Sequence, residues 1–185
     1  MLWLIVGLAL FLGVHVFSSL RSARGRLVAK LGEGPYKGLY ALLSLAGFGL
    51  IVAGMGKAPS IELWNPPAWG RYAAVWFMPF ALILLAAAFI PGNLKRFTAH
   101  PMLWAITLWS LVHLLANGDL AGLLLFGGFG LYALYAMGSQ NRRGARPAQT
   151  RRAVAGDIGA VVAGLTAYAL LLKFHAGLFG VAVWD

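Results

Sequence analysis

The sequence contains no cysteine, so disulfides, thiolate-bound zinc, iron–sulfur clusters and thiol nucleophiles are all excluded. Charge is nearly as scarce. Only 11% of the 185 residues are Asp, Glu, Lys or Arg, against about 25% in a soluble domain. Just five residues are acidic. Each falls at the end of an apolar run or in a connection, which argues against a proton pump or cation carrier built on a buried carboxylate. The sequence has no Gly-x-Ser-x-Gly turn and no Walker loop. No repeat of solenoid period is visible.

What is present is mainly hydrocarbon. Apolar residues make up 61% of the chain, more than a water-soluble protein of this size could hide. The solvent is therefore a bilayer. At about 20 residues per crossing, about six spans fit. The expected fold class is all-α: a polytopic membrane helical bundle forming one domain over residues 1–185, with spans at about 2–20, 38–56, 71–90, 101–117, 120–138 and 157–177.

The first run lacks a basic start and is followed by Arg21, Arg24 and Arg26, so it reads as an uncleaved span rather than a signal peptide. Gly32-Glu33-Gly34-Pro35 punctuates the connection after it. Pro59, Trp64, Pro66, Pro67 and Trp69 predict a folded cap at the interface, and Pro79 predicts a kink inside span three. Gly122, Gly127, Gly128 and Gly130 permit close helix approach in span five. The glycine-rich faces of spans two and five suit packing within one chain or between chains, so the oligomeric state stays open.

The net charge of +10 is an orientation signal. Twelve of the 15 Lys and Arg lie in Arg21–Lys37, Lys95–Arg96 and Gln140–Arg152, the first, third and fifth connections. The positive-inside rule then places both termini on the non-cytoplasmic side. The partners this charge implies are anionic lipid headgroups, not nucleic acid.

Four histidines remain within or beside the apolar runs, where ionisable groups are costly and usually functional. His15 and His113 are the deepest. His100 and His175 lie near interfaces, where a neutral imidazole bonded to a neighbouring helix is the ordinary reading. Paired histidines on different helices suit haem iron, and zinc lacks a third ligand at matching depth. His100 and His113 point about 140° apart and stand about 20 Å apart along one helix, so they cannot share an iron. Ser110 shares a face with His113 and is expected to orient it. By depth alone, His113 pairs with His175 and His15 with His100.

Longer motifs then point to a family. Gly13-Val14-His15 with Ser19-Leu20-Arg21 and Leu31-Gly32-Glu33-Gly34-Pro35-Tyr36-Lys37-Gly38-Leu39-Tyr40 resemble the NnrU family of bacterial membrane proteins. So do His100-Pro101, Leu111-Val112-His113-Leu114-Leu115-Ala116-Asn117-Gly118 and Gly180-Val181-Ala182-Val183-Trp184. The resemblance runs nearly end to end. It implies a multi-pass protein of the bacterial inner membrane, associated with nitrite and nitric oxide reduction (denitrification). The family is similar to plant zeta-carotene isomerase, a membrane haem b enzyme that isomerises a cis double bond in a polyene. What that likeness implies is haem b held by His15 and His113, with redox-linked or isomerase-like chemistry on a hydrophobic small molecule. His175 and His100 are the alternative ligands. The plant enzyme has a cysteine three residues before its second ligand; Ser110 stands there, so a thiolate exchange does not carry over.

Two other readings compete. Arg96 to Pro101 loosely resembles the Arg-His-Pro stretch of isoprenylcysteine carboxyl methyltransferases, which implies S-adenosylmethionine as cosubstrate. Here Thr98 and Ala99 precede the histidine, and Asn141-Arg142-Arg143 replaces the expected acidic motif. The other is a non-enzymatic accessory protein of a respiratory nitrogen-oxide reductase.

Overall fold

The computed structural model describes residues 1–183 and is helical almost throughout. Trp184, part of the terminal motif, lies outside the described residues. The helices are α1 (Leu2–Ser19), α2 (Arg21–Leu31), α3 (Glu33–Met55), α4 (Gly70–Phe89), α5 (Pro101–Ala116), α6 (Leu120–Arg142) and α7 (Val154–Phe179). Five of them, α1, α3, α4, α6 and α7, are long and apolar enough to cross a membrane. The fourth expected span, α5, is apolar but has only 16 residues, about 24 Å of rise against about 30 Å of hydrocarbon. It stops at Asn117, whose backbone turns extended and whose Nδ2 donates to the His113 carbonyl at 2.8 Å.

The first connection is more ordered than its glycines suggest. Arg21–Leu31 forms a helix with no buried residue. Gly32 breaks it at φ +85°, a conformation that strains any side chain. α3 then begins at Glu33, ahead of the expected start at residue 38. Pro35 is tolerated because it falls in the first turn, where backbone N–H groups have no intrahelical acceptor.

Glycines bring the helices together. Leu4, Gly7 and Phe11 of α1 run antiparallel to Gly54, Ile51 and Gly47 of α3. A Cβ on Gly7 would lie 2.6 Å from the Ile51 nitrogen, and one on Gly47 would lie 2.8 Å from the Phe11 nitrogen. Gly164 of α7 fits against α4 in the same way, since a Cβ there would lie 2.6 Å from the Ile83 Cα. Small residues thus set the approach, as apolar side chains give no net driving force in lipid. Pro79 sits inside α4 and cannot donate to the Val75 carbonyl four residues before it. The Tyr168 hydroxyl of α7 donates to that carbonyl instead, at 2.8 Å.

Outward-facing side chains are large and apolar. Trp76 is 73% exposed, Leu45 70% and Phe89 71%, the inverse of a water-soluble surface.

The connections seal the bundle in two sets. The second and fourth meet through Leu63 N to Gly118 O and Leu120 N to Ile61 O, each 2.8 Å, and an antiparallel bridge between Glu62 and Asp119. The third and fifth meet through Ala148 N to Lys95 O at 2.9 Å. There Asp157 accepts from the backbone of Asn93 at 2.6 Å and of Leu94 at 3.0 Å. Ser19, at the end of α1, shares a hydrogen bond with Tyr135 at 3.0 Å on this same end.

Candidate functional site

α6 lies between α1 and α5, and its aromatic residues face both. Its segment Leu123–Gly127 widens into a π-helical turn, a feature that often marks functional positions. Phe126 lies within that turn, and Phe129 and Tyr132 follow it at steps of three residues. Each step rises about 4.5 Å and falls about 60° short of a full turn. Phe126 and Tyr132 therefore point about 120° apart.

His113 of α5 stacks on Phe126, with ring centroids 4.7 Å apart and planes 28° apart. Its Nδ1 lies 2.8 Å from the Trp109 carbonyl, one helical turn back. A carbonyl can only accept, so the proton sits on Nδ1 and the neutral ring's Nε2 keeps its lone pair. His15 of α1 is held in the same way. Its Nδ1 lies 2.6 Å from the Phe11 carbonyl, and its ring stacks on Phe11 at 4.3 Å and 28°. Tyr40 of α3 and Tyr132 of α6 complete its surroundings at 5.2 and 5.9 Å.

The two histidines belong to one aromatic column. Phe129 contacts Phe11 at 5.4 Å and Trp109 at 5.7 Å, linking the His15 side to the His113 side. They stand at different levels of it. His113 is level with Phe126 and His15 with Tyr132, six residues on along α6, or about 9 Å of rise. Beside the column, an apolar groove of about 440 Å³ opens between α1 and α6, lined among others by Leu8, Leu12, Gly13, Val16 and Gly128. Gly13 and Val16 flank His15, and Gly128 precedes Phe129.

The other two histidines sort differently. His100 is buried at the start of α5, and its Nε2 donates to Asn141 Oδ1 at 2.7 Å. That bond ties α5 to the end of α6 and engages the nitrogen that the other three histidines leave open. It also engages the residue on which the methyltransferase likeness rests. His175 lies on α7 with Nδ1 2.7 Å from the Val181 carbonyl. Ser110 does not bond His113. Its Oγ is buried without a hydrogen-bond partner, packed where a Cβ on Gly130 would meet it at 3.3 Å. The acceptor that orients His113 is the Trp109 carbonyl.

The donor chemistry fits a haem iron: two neutral imidazoles with Nε2 lone pairs, no competing thiolate or carboxylate, and aromatic walls. Among the described residues no group of three or more His, Asp or Glu could hold a metal ion, so a zinc-type cage has no counterpart here.

The sequence alone did not single out Phe11, Phe126, Phe129 and Tyr132 as partners of the site, and Trp109, near His113, reads there as packing or an interface anchor. The available signals were an aromatic residue four positions before each deep histidine, and the three-residue spacing in span five.

The NnrU protein family matches residues 3–183, and the chain belongs to that family. No curated protein and no solved structure matches it.

Proposed function

We propose that this NnrU-family chain is an intramembrane haem b protein, with His15 and His113 as iron ligands and an apolar molecule of the bilayer as its substrate. One observation carries the reading: both imidazoles give Nδ1–H to the carbonyl four residues back and keep Nε2 free on an aromatic face.

Haem, when bound, supplies redox or isomerising chemistry that no side chain of this column can supply. The chain's own residues do the holding. The Phe11 and Trp109 carbonyls fix the tautomer and strengthen each Nε2 as a donor. Phe126, Phe129 and Trp109 keep water out and lower the local dielectric. The groove between α1 and α6 admits an apolar molecule sideways from the bilayer. Redox-linked or isomerase-like conversion of such a molecule suits this site, as does service to nitrite and nitric oxide reduction. The bacterial inner membrane is the matching address. Because the two ligands differ in level along α6, His175 is kept as the alternative partner of His113.

The absorption spectrum of detergent-purified protein tests the reading. A Soret band is expected, lost in His113→Ala and shifted in His15→Ala but unchanged in His175→Ala. A shift in His175→Ala with none in His15→Ala would exchange the second ligand. Protein that stays colourless after adding haemin would refute haem binding altogether.

A further inference from the structure

The column between the two histidines is filled, and one side chain fills its middle. Phe126 lies under His113 and Tyr132 lies against His15. Phe129 stands midway between them in rise and in direction, and touches Phe11 and Trp109, the residues that hold the two imidazoles. We propose that Phe129 is a gate: it occupies the space that a planar tetrapyrrole takes between His15 and His113, and swings aside to admit it. The gate rests on the haem reading above and adds the residue that controls entry.

Three features distinguish this ring from Phe126. Phe126 is buried and pinned between Trp109 and His113, with centroids 4.9 and 4.7 Å away. Phe129 is only partly buried, with ring contacts on two sides and its edge against the apolar cluster of Leu4, Leu8, Ile51 and Ala121. Its chain neighbours are Gly127, Gly128 and Gly130, and the π-helical turn Leu123–Gly127 ends two residues before it. Gly128 also lines the open groove, so a displaced ring has apolar volume beside it. Tyr132, by contrast, lies against His15 and belongs to the wall of the column.

A gate makes ligand entry slower than encounter, because binding then waits on a conformational change. Stopped-flow uptake of haemin by the detergent-purified, cofactor-free full chain reads this directly. Phe129→Ala is expected to take up haemin about tenfold faster than the wild type, and Phe129→Trp more slowly. Phe129→Leu keeps the position apolar should Phe129→Ala fold poorly, and it should also be faster. Phe77→Ala, on the lipid-facing side of α4, should leave the rate unchanged. Metal-free protoporphyrin, followed by its fluorescence, separates space from ligation: Phe129→Ala should speed its entry as well.

Equal haemin rates in the wild type, Phe129→Ala and Phe129→Leu would overturn the gate while leaving a His-dependent Soret band, and so the haem reading, intact. Acceleration confined to the iron-containing ligand would also overturn it, because the obstacle would then not be space. A wild-type chain that takes up no haemin at any protein concentration overturns the haem reading and the gate together.

Discussion

At the scale of single residues, the four histidines divide by which nitrogen they commit. His15, His113 and His175 spend Nδ1 on a backbone carbonyl, whereas His100 spends Nε2 on Asn141. Sequence position ranked His15 and His113 above the others because they lie deepest, and in the structure these two rings contact the aromatic side chains of α6. Sequence could not show the tautomer, since the acceptors are backbone carbonyls that every residue carries. Nor could it show that Ser110 turns toward Gly130, because a shared helical face does not fix a side-chain rotamer. A structural role for His100 has a measurable consequence. Replacing it with Ala removes the bond to Asn141 and empties a buried site, which costs about 1–3 kcal/mol. His100→Ala should therefore lower the thermal unfolding midpoint of the detergent-solubilised protein while leaving any Soret maximum where it is. A moved Soret maximum with unchanged stability would return His100 to the ligand set.

At the scale of helices, the apolar runs were legible because length and composition are enough to mark a span. Their ends and contacts were not. α3 begins earlier than its apolar run, at Glu33, whose carboxylate sits in the first turn and pairs with Lys37 at 2.9 Å. α6 continues past its expected end at residue 138 to Arg142, since nothing in Ser139-Gln140-Asn141 breaks a helix. Glycines look alike in sequence, yet their surroundings differ sharply. A methyl at Gly47 would meet Phe11 backbone at 2.8 Å, whereas one at Gly49 would meet nothing within 4 Å. Gly47→Ala should thus force α1 and α3 apart and destabilise by about 1–3 kcal/mol, and Gly49→Ala should be neutral or slightly stabilising. Unfolding in a denaturing-detergent titration compares the two, and equal losses would show that the α1–α3 approach is not set by glycine. The carbonyl that Pro79 leaves open gives a second test at the same scale. Tyr168→Phe removes the hydroxyl that donates to Val75 O, with almost no change of shape, and should cost about 1–3 kcal/mol by leaving that carbonyl unpaired. The same titration should find the double variant Pro79→Ala, Tyr168→Phe less affected than Tyr168→Phe alone, because the helix then supplies its own donor.

At the scale of the whole molecule, charge placement and hydrogen bonding agree. Basic residues concentrate in the first, third and fifth connections, and the structure brings the third and fifth connections together at one end, with the end of α1 beside them. The second and fourth meet at the other end. Both therefore divide the chain into the same two faces, although one was read from composition and the other from geometry. From the positive-inside rule we propose that the basic face lies in the cytoplasm. The missing cysteines make this testable without further engineering, because any introduced thiol is the only one in the chain. Ser60 and Thr150 are both exposed and lie in the second and fifth connections, and cysteine is close to each in size. In intact spheroplasts a membrane-impermeant maleimide should label Ser60→Cys and leave Thr150→Cys untouched until the membrane is permeabilised. The reverse pattern would invert the molecule and place its basic face outside. Labelling of both from one side would mean that the two faces do not lie across a bilayer, and α5, the shortest of the apolar helices, would be the first crossing to doubt.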